Sequence, residues 1–183
     1  IGASHESSVF GRHDDKSVDP DKMILAPYHP DLPKVRNTYA KYASAVSKMD
    51  QLVGIAINNL KRDGLYEDTI IVYNSDHGGV LPRSKRFLYS SGIHCPLIVR
   101  IPKKWSHLYP ENKKPGSTID RIVSFIDRPK TWLSLAGAEI KEQFHGRIFL
   151  GPDTEEQANY HLSWRGRADE RLDCVRVLRT KQF

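Results

Sequence analysis

The sequence predicts an α/β fold with a mainly parallel sheet flanked by helices. Three observations predict it. Residues 35–62 repeat apolar side chains at three- and four-residue steps, the period of a helix with one core-facing stripe. Two short runs, Ile70-Ile71-Val72-Tyr73 and Leu97-Ile98-Val99-Arg100, are apolar on both faces, as strands buried in a parallel sheet are. Strand-like and helix-like segments alternate, which argues for helices layered on a sheet. The 183 residues fit one domain, or one large piece of a bigger one.

Taken in order, residues 1–34 are polar and Pro-rich, an irregular loop segment. Asp19-Pro20, Ala26-Pro27, His29-Pro30 and Leu32-Pro33 break any regular element. In the helix over 35–62, Val35, Tyr39, Tyr42, Val46, Met49, Val53, Ala56, Ile57 and Leu60 form the stripe, and Gly64 is the left-handed stop. The first strand ends at Ser75-Asp76-His77-Gly78-Gly79. The second follows a polar segment containing Arg83, Lys85 and Arg86, and Pro102 closes it. Residues 103–118 read as a Lys/Pro/Gly-rich surface loop. Ile122 to Ala136 reads as strand-turn-helix, with Asp127 as its cap, Pro129 in the first turn and Gly137 as the end. Residues 138–160 read as mixed loop, and Val175-Arg176-Val177-Leu178-Arg179 as a last strand.

Composition narrows the function classes. Lys and Arg number 28 against 22 Asp and Glu, a net charge of +6. A modestly basic surface suits anionic ligands such as nucleic acid, anionic polysaccharide, or phosphate and sulfate esters. No Lys/Arg block and no aromatic-basic interleaving of the RNA-module kind occurs, which argues against nucleic acid. No apolar run reaches the ~18 residues of a membrane span, and no charged-then-apolar leader is visible at the start, Ile1. Cys95 and Cys174 make neither a disulfide framework nor a four-cysteine zinc site. One bridge or two buried free thiols remain, the thiols being preferred. Gly-x-Ser-x-Gly, Walker-type and Gly-x-Gly-x-x-Gly signatures do not occur.

The residues with chemistry gather around the first strand. Ligands bind beyond the carboxyl ends of strands in open parallel sheets, and Asp76 and His77 stand at such an end. A carboxylate oxygen beside an imidazole nitrogen is half of a metal site, or merely an Asx-type turn with an exposed histidine. Lys85, eight residues beyond His77, is either a point charge for an anionic group or a solvated cation. His5, in Ser4-His5-Glu6, is by itself a loop histidine. His94, before the second strand, reads as a rim or packing residue.

The order of these features is more specific than any one of them. Pro30, Asp31, Pro33 and Arg36 form a Pro-Asp-x-Pro-x-x-Arg lead-in. Met49-Asp50, Val53-Gly54, Gly64-Leu65 and Asp68-Thr69 run into Ile70-Ile71-Val72-Tyr73-Asn74-Ser75-Asp76-His77-Gly78. Lys85, Tyr89, Gly92, Pro96 and the 97–100 strand follow, then Val123 to Asp127, Leu133, Ala136-Gly137, Gly146-Arg147 and Arg176 to Thr180. This string resembles the sulfatase family of the alkaline-phosphatase-like superfamily, with its lead-in most similar to heparan N-sulfatase-like members.

The resemblance implies a partial alkaline-phosphatase-like sandwich and a metal-dependent sulfuric ester or sulfamate hydrolase. Its substrate would be a sulfated saccharide of heparan-like kind, or an aryl sulfate. Asp76 and His77 match two ligands of a divalent cation, usually calcium. Lys85 matches the lysine that grips sulfate oxygens, His5 the histidine at the leaving oxygen, and His94 a substrate-dependent pocket position. The family's nucleophile, formylglycine, matures from Cys or Ser in Cys/Ser-x-Pro/Ala-x-Arg. Neither Cys95 nor Cys174 has Arg four residues on, and the early Asp-Asp ligand pair is not found either. The expectation is therefore a single partial domain over 1–183: the second half of a catalytic domain, without its N-terminal half and C-terminal subdomain, and inactive alone. Arg128-Pro129-Lys130-Thr131 also departs from the family's Pro-Thr. A phosphodiesterase or phosphonate monoester hydrolase of the same superfamily, or a non-catalytic fragment binding sulfated glycans, are the alternatives. Periplasmic, lysosomal or secreted placement is what the family implies; the oligomeric state is not legible.

Overall fold

The structure, a computed structural model, describes residues 18–110, 113–168 and 171–180. His5 lies outside the described residues. The chain divides into two units, one built from the residues up to Tyr66 with His77–His94, the other from Glu67–Asp76 with the residues from Cys95 onward.

The first unit is dominated by α1, Pro33–Arg62. Pro33 opens it, where a missing N–H costs nothing because the first amides of a helix lack partners. Lys61 and Arg62 lie in its last turn, and Gly64 takes φ +72°, the expected left-handed stop. The apolar stripe is only partly covered: Ala40 is buried, Val35, Tyr39, Tyr42, Met49, Val53, Ile57 and Leu60 are half-buried, and Val46 and Ala56 are exposed. Residues 18–32, just before α1, are more ordered than their prolines suggested. Pro20–Lys22 is a 3-10 turn, capped by the Asp19 carboxylate accepting from the Asp21 N–H at 3.0 Å. The guanidinium of Arg36 clasps it to the helix. Its Nε and Nη2 donate to Asp31 at 2.5 and 2.7 Å. Its Nη1 donates to the carbonyls of Pro20, Asp21 and Met23 at 3.1–3.3 Å. The Pro-Asp-x-Pro-x-x-Arg lead-in is thus a structural clasp. The rest of this unit is the loop after His77 and α2, Ser90–Ile93.

In the second unit β1 (Ile71–Asn74) pairs with β2 (Leu97–Arg100). The pairing is antiparallel, Ile71 opposite Arg100 and Asn74 opposite Leu97. This corrects the mainly parallel sheet: both strand pairs among the described residues are antiparallel. Parallel neighbours need a crossover of about a dozen residues or more, usually a helix. Between β1 and β2 the only regular element is the single turn of α2. An apolar run reports burial on both faces and says nothing of direction.

The core of this unit is Ile101, Leu108 and Leu150, with Ile70, Val99, Trp105, Tyr109, Trp132, Leu135 and Phe149 packed against it. Three of these residues, Trp105, Leu108 and Tyr109, come from the expected surface loop. Lys103–Leu108 is a 3-10 turn that buries Leu108, held by Trp105 Nε1 donating to the Asp68 carbonyl at 3.1 Å and Tyr109 Oη donating to that of Ile101 at 2.8 Å. Helix α3 is Asp127–Leu135, and the expected strand just ahead of it does not form at residues 122–126. Asp127 is its first residue rather than its cap, and Gly137 ends it at φ +64°. The last element is a hairpin of β3 (Tyr160–Ala168) and β4 (Arg171–Thr180), with a register shift at Gly166 between Arg165 and Arg167. Both cysteines are free, as preferred, but neither is buried: Cys95 is half-exposed and Cys174 exposed. Burial pushes the Cys95 thiol up from its ordinary value, partly offset by the positive charge of Arg128.

Candidate active site

The chain leaves β1 through Ser75 and Asp76 into the loop His77–Tyr89 and α2. Close backbone approach shapes this loop. The Gly78 N–H donates to the Gly92 carbonyl at 2.8 Å, and the Lys85 N–H to that of Gly79 at 2.8 Å. A Cβ on Gly78 would lie 1.8 Å from the Ser91 oxygen, and one on Gly92 1.9 Å from the Phe87 oxygen. Only glycine fits at either position, because real Cβ atoms never approach so closely. The loop therefore closes on itself and returns the backbone of Lys85 to the glycines following His77.

Each expected residue can now be placed. Asp76 is exposed and His77 half-buried. The Nδ1 of His77 lies 2.8 Å from the Gly78 carbonyl. A carbonyl only accepts, so this contact puts a proton on Nδ1. An imidazole presented by Nε2 while Nδ1–H is held by a carbonyl is the usual state of a metal-ligating histidine. Among the described residues no group of three or more His, Cys, Asp or Glu side chains is gathered to hold a metal. Asp76 and His77 fit such an ion as two adjacent donors, fewer than a full coordination shell needs. Lys85 is half-buried, and its ammonium has no hydrogen-bond or ion-pair partner among the described residues. His94 is the exposed C-cap of α2, its N–H donating to the Ser90 carbonyl at 2.9 Å. His77, Lys85 and His94 belong to the same unit.

The lysine is flanked by backbone strain. Arg83 and Arg86 take φ +63° and +72°, the only non-glycine residues at positive φ among those described. Such a conformation costs an ordinary residue about 1–3 kcal/mol and clusters at functional sites. Ser84, between Arg83 and Lys85, is buried. The Ser91 hydroxyl donates to the Arg83 carbonyl at 2.6 Å, which pins the strained turn. Sequence reading passed over Arg83, because one arginine among 28 cations carries no signal of its own.

Two solved structures share the fold. One is BT4656 in complex with its substrate D-glucosamine-2-N,6-O-disulfate, at TM-score 0.68 and 26% identity over 80% of this chain and 31% of that one. The other is a phosphonate monoester hydrolase from Silicibacter pomeroyi, at TM-score 0.62 and 23% identity over 90% and 39%. The class is thus that of the alkaline-phosphatase-like hydrolases. The family model for sulfatases matches residues 4–138, and the chain belongs to the sulfatase family. It is 36% identical over 162 residues to an ulvan-active sulfatase of Formosa agariphila, covering 88% of this chain and 26% of that protein. It is 34% identical to an N-acetylglucosamine-6-O-sulfatase of Bacteroides thetaiotaomicron over 68% of this chain and 21% of that protein. It is 29% identical to human N-sulphoglucosamine sulphohydrolase over 66% and 23%. The chain spans about a quarter of the length of these curated relatives.

Proposed function

We propose that this chain supplies part of the active site of a metal-dependent sulfatase that hydrolyses a sulfate ester or sulfamate on a saccharide. The observation that carries the reading is the His77–Gly92 loop. It brings the backbone of a half-buried lysine, which has no counter-anion among the described residues, back to the glycines beside a histidine whose Nδ1 proton is already held. Asp76 and His77 would hold a divalent cation, calcium by family resemblance, which when bound neutralises charge on the sulfuryl oxygens. Calcium prefers oxygen donors and imidazole is softer, so His77 leaves room for manganese or zinc. Lys85 holds the remaining sulfate oxygens as charge builds there. Preorganised positive charge of this kind is commonly the largest catalytic term. By family resemblance His5 would serve at the leaving oxygen or nitrogen, delivering the proton, and His94 at the rim of the sugar pocket. The formylglycine pattern does not occur in these 183 residues, so the expectation is no turnover by them alone.

The test is an assay of the complete protein against an aryl sulfate, a sulfated glucosamine and an aryl phosphonate. Sulfate release that is lost on chelation and restored by added metal is expected. Lys85→Ala should lower kcat about 10²- to 10³-fold, the usual loss for one charge-stabilising donor. Faster cleavage of the phosphonate would move the reading to phosphonate ester chemistry. Binding of sulfated glucosamine without turnover would move it to a non-catalytic glycan binder.

A further inference from the structure

Beside Lys85 the loop builds a second cationic position. The guanidinium of Arg83 lies over two aromatic rings, 4.6 Å from the Tyr28 centroid and 4.3 Å from that of Tyr89. Both rings are held from behind. Tyr28 meets the His29 ring edge-on at 4.6 Å, and His29 Nδ1 lies 2.7 Å from the Tyr39 hydroxyl on α1. Tyr89 stacks on Phe87 at 6.2 Å with 14° between the planes. Arg83 itself is exposed. Its guanidinium makes no ion pair or hydrogen bond among the described residues, and its backbone is held at φ +63°.

A guanidinium held over aromatic rings keeps its charge and its N–H donors, which suit a carboxylate or sulfate. An exposed arginine would ordinarily find a carboxylate or wander in solvent. Here two aromatic faces and a strained turn hold it in place, two residues from Lys85. We propose that Arg83, cradled by Tyr28 and Tyr89, is an anion subsite. It takes a second acidic substituent, uronate carboxylate or further sulfate, of a polyanionic saccharide whose scissile sulfate is held by Lys85. The proposal rests on the sulfatase reading above and deepens it: the substrate is a multiply charged sugar chain, not an isolated monosulfate.

The experiment compares the complete protein with Arg83→Ala and Arg83→Lys on three substrates. These are an aryl sulfate, a uronate-containing sulfated tetrasaccharide and its carboxyl-reduced form. Loss of one charge-assisted fork should raise KM for the tetrasaccharide about tenfold more than for the aryl sulfate, with kcat little changed. Arg83→Lys, which keeps charge but not the planar fork, should recover part of it. A smaller effect on the carboxyl-reduced form assigns the uronate; the same effect on both assigns a second sulfate. Equal losses on aryl sulfate and tetrasaccharide, or no loss, overturn the proposal. Should Arg83→Ala fail to fold, Arg83→Gln, which keeps the stem and loses the charge, is read the same way. If the unaltered protein hydrolyses no sulfate, the sulfatase reading fails. Calorimetric titration of the tetrasaccharide then judges the subsite alone: binding about tenfold weaker in the variant upholds it, and equal binding ends it.

Discussion

Asp127 shows how much one side chain can organise. It is 8% exposed, and its carboxylate accepts from the Ser124 N–H at 2.7 Å and the Arg147 N–H at 2.9 Å. One turn on, the fully buried Thr131 hydroxyl donates to the Asp127 carbonyl at 2.8 Å and accepts from the Phe149 N–H at 3.2 Å. Together they fasten residues 147–149 to α3, and Gly146 passes where a Cβ would lie 2.0 Å from the Ile126 oxygen. Asp127→Ala should cost about 2–6 kcal/mol in urea unfolding, since two part-buried amides lose their acceptor at about 1–3 kcal/mol each; a loss below about 0.5 kcal/mol would contradict this. Glu155 fastens the same segment from the other side. It accepts from Lys130 at 2.6 Å and from the Ile148 N–H at 3.2 Å. The Lys130 hydrogen bond holds its carboxyl below the ordinary 4.5. The stability it adds is present above about pH 4.5 and is lost as pH falls through the depressed folded-state value. The pair is partly solvated, so Glu155→Gln should cost only about 0.5–1 kcal/mol at neutral pH. That difference should vanish in acid melts, and a constant difference down to pH 3 would refute the assignment.

At the scale of elements, the His77–Gly92 loop is set by backbone contact more than by side chains. Gly92→Ala would push a methyl against the Phe87 and Ser84 carbonyls, which lie 1.9 and 2.4 Å from its Cβ position. Overpacking of this kind costs about 1–3 kcal/mol, several degrees in Tm for a domain of this size. Gly54, with nothing within 4 Å of its Cβ position, is the control: Gly54→Ala should be neutral or stabilising within α1. If both variants melt alike, the loop is not held as described. Much of this scale was legible beforehand. The helix over 35–62 followed from its period, and the stops at Gly64 and Gly137 from the left-handed backbone only glycine adopts freely. The hairpin was half missed. Its signal was the alternation of Tyr160, Leu162 and Trp164, but those residues point outward, with Trp164 68% and Leu162 64% exposed. Their register against β4 was not written locally.

Across the whole molecule, apolar exposure is large. On the hairpin, Tyr160, Leu162, Trp164 and Leu178 share one exposed face, with Leu162 opposite Leu178, while His161, Ser163, Val175 and Val177 face the other way. Exposed apolar area of this kind binds dyes and promotes association. Produced as these 183 residues, the chain should enhance the fluorescence of an apolar dye and self-associate. Replacing Leu162, Trp164 and Leu178 by Thr should reduce both. Unchanged dye binding would mean that the face is covered.

The sequence by itself determined the family, the helix and its stops, and it suggested residues for sulfate and metal that stay a proposal: Asp76, His77, Lys85, His94 and, beyond the described residues, His5. These are local matters of periodicity, backbone conformation and motif order. Tertiary structure alone decided that the two strands run antiparallel, that the Pro-Asp-x-Pro-x-x-Arg lead-in is a clasp, and that Asp127 and Thr131 are fasteners. It alone showed Arg83 held over Tyr28 and Tyr89. Each of these depends on which distant backbone or ring comes within a few ångströms, and such contacts between remote residues leave no period or spacing along the chain.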